Sequence, residues 1–178
     1  MHSDILISIL DNIGGEIIGR TVLQKLSYFV AVKTGHDLQH SAHYYGPYSR
    51  TIASTLTDLT ASDFIREEGW ITVNDRMAYS FSLTRDGKSI AEHIKRNLPE
   101  LYSKVGNIVH TCIKIAGNDA DVLSWAAKVY YIASRQNKEK ITYKEIRNIG
   151  KSFGWQISKS QIDFAVQLLK ALRLVKSS

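Results

Sequence analysis

Apolar positions recur along most of this chain at helical spacing, and glycines, prolines or charged clusters separate the runs. Residues 4–14 place Ile5, Ile9 and Leu10 on one side and stop at Gly14-Gly15, which predicts a short helix. Leu23, Leu26, Ser27 and Val30 keep the same period, so a second helix is expected from about Arg20 to Lys33, ended by Gly35. A polar connection with His36, His40 and His43 follows. Gly46-Pro47 then reads as a helix start. Gly46 takes the cap, and Pro47 the first position, where its missing N–H costs nothing. This third helix is expected to run to about Asp63 and to bury Ile52, Leu56 and Leu59.

The period then changes. Trp70-Ile71-Thr72-Val73 is a strand signal, Asn74-Asp75-Arg76 a turn, and Ala78 to Leu83 the return strand. Thr84 caps a further helix. Three helices, a hairpin and another helix give the order of a winged helix-turn-helix, with the third helix as recognition helix and residues 70–83 as wing. Residues 99–117, opened by Pro99, repeat Leu101, Val105, Ile108, Val109, Cys112 and Ile115 at helical spacing. Residues 119–134 are apolar on nearly every face, so that helix must be enclosed, between two layers of one chain or at a homodimer interface.

Gln136-Asn137-Lys138-Glu139-Lys140 is the best candidate linker. Beyond it, Thr142 with Glu145 and Ser158 with Gln161 are capping boxes, flanked by the staples Ile141/Ile146 and Ile157/Ile162. Two capped helices joined by residues 152–156 make a second helix-turn-helix-like unit, with Ile162, Ala165, Leu168, Leu169 and Leu172 facing inward. The expected fold is mainly α: a winged helix over 1–98, linking and packing helices over 99–135, and the C-terminal unit over 140–178.

Charge alters this picture more than composition does. The net charge of +6 is uneven. Residues 1–100 hold 10 Lys/Arg against 12 Asp/Glu, a balance of −2, and residues 101–178 hold 13 against 5, a balance of +8. A basic C-terminal half favours an anionic partner such as nucleic acid, and it fits solvated lysines on helix surfaces equally well. The start of the chain lacks a basic leader, no stretch is apolar enough to span a bilayer, and a single cysteine, Cys112, sits on an apolar face. A cytoplasmic location is expected.

Two stretches go beyond periodicity: Glu16-Ile-Ile-Gly-Arg-Thr-Val-Leu-Gln-Lys-Leu-Ser-Tyr28 and Tyr44-Tyr-Gly-Pro-Tyr-Ser49. Together, across roughly residues 16–90, they resemble the YwgA-like family of prokaryotic winged-helix proteins. The layout also resembles Panacea domains of toxin–antitoxin systems, in which the antitoxin can act as an adaptor that delivers a toxin to a protease. The resemblance implies a winged helix and supplies no catalytic residue.

The first function expected is therefore DNA binding by a transcriptional regulator, dimeric through residues 99–135. Tyr48, Ser49 and Arg50 would hold phosphate at the start of the third helix, and Thr51 and Ser54 lie on its outward face. Arg76 would help from the wing tip, opposed by Asp75. Lys159 and Ser160 would hold phosphate at the last helix, where Gln161 reads a base unless capping occupies it. The second expectation is a protein-interaction module, an antitoxin or proteolytic adaptor, favoured by the nearly neutral recognition helix. RNA binding shares the charge argument and has no aromatic signature.

The structural alternatives are as concrete. At least one or two of Tyr44, Tyr45 and Tyr48 would pack the helix start against the core, and Arg20 and Lys25 would pair with Glu16 or Asp11. His36, His40 and His43 lack cysteines or paired carboxylates, so no metal is expected. No phosphate-binding glycine loop, nucleophile elbow or metalloprotease helix is present. The chain is read as a non-enzyme without a cofactor.

Overall fold

The computed structural model describes residues 1–136 and 140–176. The middle of the expected linker, residues 137–139, lies outside them. Among the described residues are eight helices and a small antiparallel sheet.

Helix α1 (His2–Ile13) ends on Gly14, which takes the left-handed conformation at φ 72°. Every residue from Ile5 to Leu10 is buried, Ser8 included, so α1 is enclosed rather than one-sided. It packs against α3, α4 and α5. Strand β1 (Glu16–Ile18) follows, with Ile17 opposite Phe81. Helix α2 (Arg20–Thr34) ends on left-handed Gly35 as the pattern predicts. Two short strands, β2 (His40–Ser41) and β3 (Tyr48–Ser49), pair across the intervening loop.

Helix α3 (Arg50–Ala61) corrects one expectation. It is capped by Ser49, whose Oγ accepts the Ile52 N–H, and not by Gly46. A hydroxyl cap satisfies an otherwise orphaned helix donor, which glycine does not. Ile52, Leu56 and Leu59 are buried as expected. Strand β4 (Ile65–Ile71) begins earlier than its signal, and β5 (Met77–Leu83) returns with Ile71 opposite Met77 and Ile65 opposite Leu83. The sheet order is β1-β5-β4. Helix α4 (Arg85–Asn97) starts with Thr84 accepting the Gly87 N–H. A Cβ on Gly87 would lie 2.0 Å from the Phe64 carbonyl oxygen, so only glycine permits this approach.

Helix α5 (Pro99–Ala116) buries Val105, Ile108, Val109 and Cys112, while Ile115 is exposed and falls off the buried stripe. Helix α6 (Ala120–Ala133) packs against α2 and also against α7 and α8. The enclosure demanded by its apolar surface is thus met inside one chain. Helices α7 (Tyr143–Ser152) and α8 (Lys159–Ala171) each carry the predicted capping box, and Ile162, Ala165, Leu168, Leu169 and Leu172 are buried. One core runs from Ile5 to Leu172, through all three expected segments. No helix among the described residues is long and apolar enough to cross a membrane.

Candidate interaction surfaces

The residues expected to touch nucleic acid fall on three separate elements. Tyr48, Ser49, Arg50, Thr51 and Ser54 lie at the start of α3, Arg76 at the hairpin turn, and Lys159, Ser160 and Gln161 at the start of α8. No hydrogen bond or ion pair among the described residues joins one group to another. Several are already engaged. Ser49 is fully buried; besides capping α3, its hydroxyl donates to the Leu38 carbonyl. The Thr51 hydroxyl donates to Gln39 Oε1 at 2.8 Å. Gln161 Oε1 accepts the Ser158 N–H at 2.9 Å, which is the capping role. The Lys159 ammonium lies 5.4 Å from the centre of the Tyr143 ring. Arg50, Ser54, Arg76, Lys159 and Ser160 remain exposed.

The motif stretches meet each other. Gln24 on α2 reads both backbone groups of Ser49. Its Nε2–H donates to the Ser49 carbonyl at 3.0 Å, and its Oε1 accepts the Ser49 N–H at 2.9 Å. Next to it, Lys25 Nζ donates to the Pro47 carbonyl at 2.7 Å. From the C-terminal unit, Trp155 Nε1–H donates to the His43 carbonyl at 2.7 Å. Residues 43–49 are therefore pinned by four backbone-directed side-chain bonds, from α2 and from the turn before α8. Gly46 sits inside this clamp at φ +99°, and a Cβ there would lie 3.1 Å from Lys128 Cγ and 3.4 Å from Lys25 Cε.

Lys25 is only 2% exposed. Among the described residues the ion pairs are Met1 with Asp4, Arg20 with Glu67, and Lys95 with Glu92. Lys25 is thus not ion-paired as expected, and Arg20 is paired across to β4 rather than to Glu16 or Asp11. Asp11 instead accepts a hydrogen bond from the Tyr102 hydroxyl at 2.5 Å. Burial, and secondarily the Lys128 ammonium, push the Lys25 pKa down to about 7. Burial and then Lys25 likewise lower His40 to about 4. The His40 ring stands edge-on to Tyr28 with centroids 5.3 Å apart, and its Nε2 is buried without a partner. Among the described residues, no group of three His, Cys, Asp or Glu side chains is arranged to hold a metal ion. Burial pushes the Cys112 thiol up to about 12, which leaves it an inert core residue.

What the clamp presents is aromatic. Tyr44 is 70% and Tyr45 57% exposed, with ring centroids 4.8 Å apart at 87°. Neither packs against the core; the backbone below them is held by Gln24, Lys25 and Trp155. Tyr48 is half-buried against His43, centroids 5.0 Å apart. A second exposed apolar set lies at the hairpin end: Trp70, Ile71, Val73 and Met77. Gln24 and Trp155 are the residues that spacing alone missed. The signal in the sequence is a Gln-Lys pair set between Leu23 and Leu26 in an apolar helix face.

No family model matches the chain. Over 100 residues it is 29% identical to a protein of Bacillus subtilis (strain 168) named "Uncharacterized protein YwgA". The match covers 53% of this chain and 57% of that protein, so the chain spans little more than half the length of the relative it matches.

Proposed function

We propose that the chain is a winged-helix protein whose task is to hold a protein partner, in the manner of an antitoxin or a proteolytic adaptor. The order of α1, β1, α2 and α3 before the β4–β5 ribbon, with sheet order β1-β5-β4, supports the winged-helix reading. The observation that carries the interaction reading is the Tyr44–Tyr45 pair, exposed on a loop whose backbone is tied down at four points. A rigid exposed tyrosine brings large contact area and a polar tip at a small entropic cost on binding. The outward face of α3 offers Arg50, Ser54, Thr57 and Asp58, a nearly neutral set with a single long donor. At the ribbon tip Asp75 offsets Arg76, beside the exposed Val73 and Met77.

The test is retention of a partner from lysate of the native host. Immobilised wild-type chain is expected to retain a protein that the Tyr44→Ala/Tyr45→Ala variant loses, while the two chains melt at the same temperature. Equal retention by both contradicts the reading.

DNA binding by a transcriptional regulator is a second reading, favoured by the exposed Lys159 and Ser160 at the start of α8 within a segment of charge +8. Fluorescence anisotropy with a mixed-sequence duplex at low and moderate salt tests it. Binding that weakens steeply with salt and is reduced in Lys159→Ala supports it. No binding at low salt removes it.

A further inference from the structure

Lys128 on α6 lies across the seam between the 43–49 loop and the C-terminal unit. Its stem covers the buried Gly46, where a Cβ would meet Lys128 Cγ at 3.1 Å and Cε at 3.6 Å. Its ammonium stands 5.8 Å from the centre of the Trp155 ring, which is itself only 1% exposed. Lys128 is half-buried, and a lysine laid along apolar surface in this way keeps its charged head toward water. Packing has thus already removed much of the rotamer freedom that a lysine normally loses on binding.

The charge so held is unmatched. Lys128 forms no ion pair among the described residues. Asp121, two turns earlier on α6, is the one acidic side chain there whose field reaches its ammonium. Lys25, the other cation beside it, turns its Nζ to the Pro47 carbonyl and adds positive charge from beneath. Burial lowers the Lys128 pKa, against the pull of Asp121. An anion arriving at this position would relieve that cost.

Apolar surface flanks the charge on both sides. Tyr44 and Tyr45 precede Gly46 in the loop. Trp125 lies one helical turn before Lys128 on the same stripe of α6, and its ring is 6.4 Å from that of Phe164 on α8, which is 52% exposed.

We propose that Lys128 receives a carboxylate from the protein partner, an aspartate or glutamate next to an apolar side chain on a short segment that runs from Tyr44–Tyr45 across Lys128 to Trp125 and Phe164. The proposal rests on the reading of the tyrosine loop as a docking surface. The choice of occupant rests on charge complementarity: an unpaired, pre-positioned cation between two aromatic pairs calls for one anion between apolar groups. A single-stranded nucleic acid fits less well. The Tyr44 and Tyr45 rings stand at 87° and form no platform for successive bases, and Asp121 would repel a second phosphate along α6.

The test uses a phage-displayed library of random peptides selected on the immobilised full chain. Selected peptides are resynthesised and titrated by fluorescence anisotropy. Lys128→Met keeps the stem over Gly46 and removes the charge, and thermal melting verifies its fold. Selected peptides are expected to carry an acidic residue beside an aromatic or aliphatic one, and to bind Lys128→Met about tenfold more weakly than wild type. Replacing that acidic residue by its amide probes the same contact from the peptide side. It is expected to cost about the same factor against wild type and almost nothing against Lys128→Met.

Peptides that need Tyr44 and Tyr45 but bind wild type and Lys128→Met alike overturn the proposal and leave the docking reading standing. Binding that needs Lys128 and the acidic residue, yet is unchanged in Tyr44→Ala/Tyr45→Ala, supports the carboxylate seat and contradicts the tyrosine reading. No enriched peptide overturns the proposal. So does a single-stranded DNA oligonucleotide that binds wild type more tightly than every selected peptide and loses that binding in Lys128→Met.

Discussion

Gln24 and Ser49, 25 residues apart, are joined by a reciprocal pair of hydrogen bonds, 3.0 and 2.9 Å long, in which one side-chain amide satisfies both backbone groups of one residue. The side-chain amide acts as a strand would, pairing with the backbone where β3 turns into α3. It lets Ser49 spend its hydroxyl on the helix cap. The Leu-Gln-Lys and Tyr-Gly-Pro-Tyr-Ser stretches are thus two halves of one structural device, and Lys25 completes it through Pro47.

Replacing Gln24 by Leu keeps the bulk and removes both bonds. The Ser49 N–H and carbonyl are then left buried without partners, at a cost of about 1–3 kcal/mol for each group so orphaned. Urea denaturation is expected to show a loss within a few kcal/mol of that range. Gln39→Ala, which removes an exposed side-chain contact with Thr51, is expected to change stability by less than about 0.5 kcal/mol.

Gly46→Ala tests the clamp from the loop side. The backbone there is at φ +99°, which L side chains rarely adopt, and the added Cβ would meet Lys128 at 3.1 Å. A loss of about 1–3 kcal/mol is expected in the same denaturation assay. Gly15→Ala has open space and φ outside the left-handed region, and it serves as the neutral control.

Much of the helical framework is legible because caps and periods are local. Thr142 with Glu145 and Ser158 with Gln161 form the bonds their spacing predicts. Gly14 and Gly35 end α1 and α2 in the left-handed conformation. The failures are non-local. Strand β1 has three residues, too few to display a period, and it exists because Ile17 meets Phe81 on β5. Pro47 looks like a helix start, yet Ser49 caps α3 while Pro47 gives its carbonyl to Lys25. The same limit governs the site. Spacing places Ser49 at a helix N-terminus, ready for a phosphate; it does not reveal that Leu38 and Ile52 already occupy its hydroxyl. Spacing puts Lys25 near acids, and folding puts it beneath a carbonyl with Lys128 as neighbour.

The buried Lys25 predicts how stability depends on pH. Its folded pKa is lowered from 10.5 to about 7. Between these values the unfolded chain holds the proton and the folded chain does not, so stability rises with pH. The slope from this group approaches about 1.4 kcal/mol per pH unit. Below pH 7 its contribution is flat. Above about pH 9 the raised pKa values of Cys112 and Tyr102, each about 12, act in the opposite direction. The comparison therefore belongs between pH 7 and about 9. Lys25→Met is expected to lose most of the slope. Parallel curves for the two proteins would show that Lys25 titrates normally.

Site-specific photo-crosslinking reports what the Tyr44–Tyr45 loop touches in the cell. Benzoylphenylalanine replaces Tyr45 in one variant and the exposed Lys33 in another, and both are irradiated in native host cells. A discrete protein adduct is expected from position 45 and none from position 33. A nucleic-acid adduct at position 45, or the same protein adducts from both positions, contradicts the claim that the clamped Tyr44–Tyr45 loop holds a protein partner.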